Sequence, residues 1–194
     1  NVHSSSILQI AMMALDEEFV EIPDSAVCRF VDAPLSFEAG ALNIHMQTGF
    51  LARYIETQRD APTAMVSRNQ LFALMQRHVE RFFPGPKPIL VGNSVSALDV
   101  PMLRNVLPSY DEMPVLAERA LRFTDRSDPS ALNLFHYSCI DVSSVRKVVE
   151  VATSAKDLKS RFNSGSHDAL DDVRSCIAEL QHYKSLLKLS HSRE

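Results

Sequence analysis

The run Pro84-Gly85-Pro86-Lys87-Pro88 constrains this chain more than any other feature. Proline lacks the N–H a helix interior needs and clashes with the preceding turn, so an amphipathic helix must stop there. Upstream, Ser67 to Phe83 carries Leu71, Leu74, Met75, Val79 and Phe82 at helical spacing, with Ser67 placed as N-cap. Downstream, Ile89-Leu90-Val91-Gly92 is a short apolar run of the kind that forms a buried strand, and a helix follows from about Leu98 to Leu107.

The same alternation governs the rest. Ile7 to Leu15 and Phe19 to Val31 read as two strands joined by a polar turn at Asp16-Glu17-Glu18, and Ala41 to Thr57 reads as a helix. Tyr137 to Val142 reads as a strand, Ser143 to Val151 as a short helix and Lys156 to Ser166 as a polar loop. From His167 to about Leu187, the residues Leu170, Val173, Ile177, Leu180 and Leu187 make one stripe of a helix capped by Ser166. Residues 111 to 135 hold a short helix around Leu116 to Leu121, then the loop from Thr124 to Pro129. Strands followed by alternating helices and strands predict an α/β fold, and 194 residues suit one domain.

Charge and cysteine usage narrow the function classes. Twenty Lys and Arg against 24 Asp and Glu give a net charge of -4, so no general basic coat holds long nucleic acid; any nucleic acid is gripped locally. Cys28, Cys139 and Cys176 are odd in number and far apart, which argues against a disulfide framework and for a reducing compartment, mitochondrial or cytoplasmic. The most apolar stretch, Ile7 to Leu15, is well short of the ~20 residues of a membrane helix, so no membrane partner and no signal peptide are expected. Five glycines leave no room for a nucleotide-binding fingerprint. Asn163-Ser164-Gly165-Ser166-His167 lacks the preceding strand of a nucleophile elbow.

Two segments could carry chemistry. Ser166-His167-Asp168-Ala169-Leu170-Asp171-Asp172 places a histidine and three carboxylates at a helix start. Acidic groups are favoured there by the macrodipole and often do nothing else. Yet His167 and Asp172, about 500° apart around a helix, would sit near one another, a proton-accepting imidazole beside a metal-binding carboxylate. The second segment, Gly92 to Asp99, reads either as a capped strand-to-helix connection or as a carboxylate presented at a strand's carboxyl end, where open α/β sheets bind ligands.

Ile89 to Leu103 (ILVGNSVSALDVPML), His136 to Val145 (HYSCIDVSSV) and Ser166 to Tyr183 (SHDALDDVRSCIAELQHY), with Ile7 to Ala11 (ILQIA), together resemble the oligoribonuclease family, DEDDh exonucleases of the ribonuclease H-like superfamily. The resemblance spans nearly the whole chain as one domain, 1–194, apart from an insertion at about 111–135. It implies a ribonuclease H-like mixed sheet flanked by helices, and a 3′ to 5′ exoribonuclease that degrades very short RNA with two Mg²⁺ or Mn²⁺ ions as a homodimer. Asp99 and Asp172 would be metal ligands and His167 the general base. Asn93, Ser94 and Ser143 would hold the substrate, and Tyr137 would match a residue lent to the neighbouring active site.

The chain also departs from that pattern. The opening Asp-x-Glu strand, which supplies two more carboxylates, would lie ahead of Asn1 and is not among these residues. No Trp is present, Leu42 being the nearest match to a base-wedging tryptophan, and Ser138 stands where the family has a phosphate-binding arginine. One extra residue separates Asn93-Ser94 from Asp99. Two readings follow: a working exoribonuclease, or a catalytically inactive homologue acting as a structural or RNA-binding subunit or assembly factor of a larger ribonucleoprotein complex.

Overall fold

The computed structural model describes residues 6–35, 39–106, 134–153, 158, 162, 165 and 167–191, with side chains of the last helix described as far as residue 186. Strands β1 (Gln9–Met12) and β2 (Val27–Phe30) pair antiparallel, Gln9 opposite Phe30 and Met12 opposite Val27. This is the expected hairpin with shorter strands. Continuing the register would put Asp24 opposite Leu15, but Glu21 is there, and Ser25 Oγ fills the offset by hydrogen-bonding the Ala14 backbone. The turn is fixed by Asp16, whose Oδ1 accepts from the N–H groups of Glu18 and Val20, each at 2.9 Å.

The helix expected over 41–57 is two helices, α1 (Ala39–Gln47) and α2 (Phe50–Asp60). The break falls at Gly49, whose φ of +69° is left-handed and incompatible with a continuous helix. Tyr54 then locks α2 onto the end of β2, its hydroxyl 3.0 Å from both the Val31 and Ala33 carbonyl oxygens. Helix α3 (Arg68–Phe82) opens with the expected cap, elaborated into a capping box in which Ser67 and Gln70 each accept the other's backbone N–H. Of the expected face, Leu71 and Met75 are buried and Val79 packs against the core, while Leu74 and Phe82 are half-buried; Phe72, Gln76 and His78 are buried as well. Phe72 joins Val31, Leu71, Met75, Leu103 and Leu134 in the core, with Ile10 and Met12 of β1 packed against them.

Strands β3 (Leu90–Gly92) and β4 (Cys139–Asp141) pair parallel, each leading into a helix: α4 (Asp99–Val106) and α5 (Val142–Thr153). The last helix, α6 (Ala169–His191), packs on β1, β2 and α5. Its core contacts are Cys176, Leu180 and Tyr183, against Val142, Val149 and Leu158; of the expected stripe Leu180 is buried and Leu170, Val173 and Ile177 are half-buried.

The fold is α/β, with six α-helices among the described residues. Among the described residues the four strands form two two-stranded sheets, β1–β2 antiparallel and β3–β4 parallel. The expected helix at Leu116 to Leu121, most of the 111–135 insertion and the capping residue Ser166 lie outside the described residues. Among the described residues no helix is long and apolar enough to cross a membrane.

Candidate active site

Because β3 and β4 are parallel, their carboxyl ends open on the same side, and both chains turn there into helices. Asp141, the last residue of β4, organises that edge. Its Oδ1 accepts from the N–H groups of Ser143 at 3.1 Å and Ser144 at 3.3 Å, which caps α5, and from Ser94 N–H at 3.2 Å. Its Oδ2 accepts from Ser96 Oγ at 2.9 Å. Burial works to raise its pKa, but the Ser96 hydroxyl and the surrounding N–H groups outweigh it and hold the carboxyl below the usual range.

The same bonds bring together three of the expected substrate-side residues. Ser143 Oγ accepts from Ser94 N–H at 3.0 Å, lies 3.2 Å from Ser94 Oγ and reaches Asn93 Oδ1 at 3.4 Å. Ser94 sits at φ +56°, a left-handed conformation sustained by that convergence. Behind it, Arg146 donates two bonds to Glu179, Nη2 to Oε2 at 2.8 Å, and a third to Asn93 Oδ1 at 2.9 Å. Tyr183 donates to Glu179 Oε1 at 2.5 Å. Arg146 and Glu179 are both buried, and the bond to Glu179 holds the guanidinium firmly protonated. This network ties the serine turn to α5 and α6.

Asp99 opens α4, one face of it exposed. The protein around the carboxyl, and then the charge of Asp141, push its pKa up. Its charge is also felt at Cys176, whose thiol is pushed up to about 12 by burial, then by Glu179, and to a lesser degree by Asp99. Cys176 is one turn beyond Asp172 on α6. Asp99 and the first turns of α6 are thus electrostatic neighbours.

His167 is exposed and precedes α6, with φ +50°. His167 and Asp172 do not share the helix as expected, since only Asp172 is on it; Asp172 lies in its first turn and is exposed. The cap comes from Asp168, whose Oδ1 accepts from Leu170 N–H at 3.1 Å. Asp168 Oδ2 takes Arg53 Nη1 from α2 at 3.0 Å and Gln9 Nε2 from β1 at 3.2 Å, while Gln9 Oε1 accepts from Ala169 N–H at 2.9 Å. His167 thus sits on a helix start bolted to β1 and α2. Burial, and then the charge of His167, lower the pKa of His45 on α1.

Other expected residues stay apart. Tyr137 is 94% exposed, its ring tilted against that of His136 at 4.2 Å. Among the described residues no three His, Cys, Asp or Glu side chains converge to hold a metal ion. Sequence reasoning missed Asp141 as the organiser, although a carboxylate followed by Ser-Ser at the start of an apolar helix is a cap signal. It also missed the Gln9–Arg53–Asp168 clamp and the Arg146–Glu179 pair, which join residues far apart in the chain.

No family model matches the chain. It is similar to the oligoribonuclease of Aeromonas hydrophila subsp. hydrophila, 29% identical over 183 residues that cover 92% of this chain and 84% of that protein. The oligoribonuclease of Baumannia cicadellinicola is 25% identical over 95% of this chain and 86% of its own length. That of Pseudomonas fluorescens is 44% identical over a shorter stretch of 64 residues, 32% of this chain and 34% of its own.

Proposed function

We propose that the chain is a member of the oligoribonuclease family, a reading supported by its similarity at 25–29% identity over nearly its whole length, and that it is an exoribonuclease acting on short RNA from the 3′ end. The observation that carries this reading is the convergence of Asn93, Ser94 and Ser143 at the carboxyl ends of two parallel strands, where open α/β sheets bind their ligands. Hydroxyl and amide groups held there by Asp141 suit a terminal phosphate or ribose. His167, exposed on a fixed helix start, takes the proton of the attacking water.

Asp99 and Asp172 offer hard oxygen donors of the kind Mg²⁺ and Mn²⁺ prefer. The described residues do not complete a metal site; in this reading the remaining carboxylates belong to the family's opening Asp-x-Glu strand, which also joins the two sheets into one ribonuclease H-like sheet. When bound, the ions stabilise the attacking and leaving oxygens. In this reading residues 1–194 form one domain, the 111–135 segment is an insertion, the protein works as a homodimer, and its compartment is a reducing one.

The second reading, an inactive homologue serving a ribonucleoprotein assembly, is favoured by Ser138 in place of the arginine and by Leu42 in place of the tryptophan. Calorimetric titration of Mn²⁺ into the complete natural protein separates the two. The enzyme predicts saturable binding weakened about tenfold or more by Asp99→Asn and by Asp172→Asn. Equal behaviour of all three proteins supports the inactive subunit.

A further inference from the structure

We infer that the outer edge of β2 is a docking groove for an extended acidic peptide of a partner protein, which adds to the sheet as a further strand. The backbone defines the edge. Val31 N–H donates to Leu8 O at 2.9 Å, so Leu8 and Val31 are a hydrogen-bonded pair, and alternation points the N–H and C=O of Phe30 and Cys28 away from β1. The Phe30 carbonyl accordingly accepts from Val66 N–H at 2.9 Å, and Val31 bridges Val66 in parallel fashion. There the ladder stops: among the described residues no protein acceptor meets the outward N–H groups of Phe30 and Cys28. An open edge of this kind is the template for strand addition.

A cavity of about 590 Å³ runs along this edge, walled by α2 and by α3. Its lining includes Arg29 and Arg77 and no carboxylate, in a chain whose net charge is -4. Both arginines are exposed, and among the described residues neither forms an ion pair; Arg29 reaches only the Cys28 carbonyl, at 2.7 Å. Arg29 lies on the opposite face of β2 from Phe30. An added strand would therefore turn alternate residues toward the two arginines and Leu74, and the intervening ones toward Phe30 and Thr57. Acidic residues alternating with apolar ones match that period of two. This groove is separate from the strand ends that carry the candidate active site and does not depend on it.

The test uses the complete natural protein and a fluorescein-labelled peptide of about eight residues alternating valine and glutamate, read by fluorescence anisotropy. Saturable binding is expected, weakened about tenfold or more by the Arg29→Glu/Arg77→Glu double variant and by replacing glutamate with lysine in the peptide. N-methylation of alternate peptide bonds abolishes it, which requires no change to the protein. Hydrogen exchange of the 27–31 segment slows in the complex. The proposal is overturned if the peptide does not saturate, if the double variant binds it equally, or if a short oligouridylate binds through the same arginines without slowing exchange of that segment.

Discussion

Arg146 shows how a single side chain holds the candidate site in place. It is buried, satisfies Glu179 with two bonds and reaches Asn93, the first residue of the serine turn. Removing it alone leaves the Glu179 carboxylate buried and uncompensated, so Arg146→Met is expected to cost about 3–5 kcal/mol. Adding Glu179→Leu removes the orphaned charge and recovers most of that loss. Equilibrium denaturation of the two variants checks the order, and equal losses would mean the pair is not buried as described. Asp168 gives a pH signature instead. Burial opposes its ionisation, but Gln9, the Leu170 N–H and Arg53 together hold its pKa below the ordinary 3.8. A carboxylate depressed in the folded state stabilises fully above its unfolded pKa, and that contribution is lost as pH falls through the lower folded value. Wild-type protein is expected to melt above Asp168→Asn at neutral pH, with the difference closing below about pH 4. A difference independent of pH would assign Asp168 to packing alone.

At the scale of elements, helix ends were more legible than helix faces. Ser67 was recognisable as a cap because a polar residue three positions ahead of another hydrogen-bonding side chain satisfies orphan N–H groups by local geometry alone. The proline run likewise ended α3 and isolated β3 as expected. The break between α1 and α2 was not read, although Gly49 was its signal, because apolar spacing on both sides of a glycine mimics one continuous helix. Gly49→Ala forces a side chain into a left-handed position, with open space around it, so backbone strain is the only penalty. A loss of about 1 kcal/mol is expected in chemical denaturation. A gain in stability would show that the two helices prefer to join. The buried faces of α3 and α6 take in residues outside the expected stripes for a different reason. Periodicity finds an apolar stripe but does not say which edge of it the sheet and neighbouring helices cover, and Phe72, Gln76 and Glu179 are buried by tertiary partners.

For the whole molecule, the order of elements was readable, since short apolar runs and breakers alternate along the chain. Strand pairing was readable from the residues only for the hairpin, because the parallel pairing of β3 with β4 joins segments far apart in the chain. The candidate site was legible in the same uneven way. Asn93, Ser94 and Ser143 do meet, because parallel strands bring their following turns together. Asp99, Asp172 and His167 do not by themselves form a metal centre among the described residues. Whether this architecture turns over RNA is decided by the complete natural protein acting on 5′-labelled RNA of two to five nucleotides with Mg²⁺ or Mn²⁺. Release of single nucleotides from the 3′ end, abolished by Asp172→Asn, is the predicted result. No turnover above the Asp172→Asn background would contradict it and assign the fold to binding or assembly.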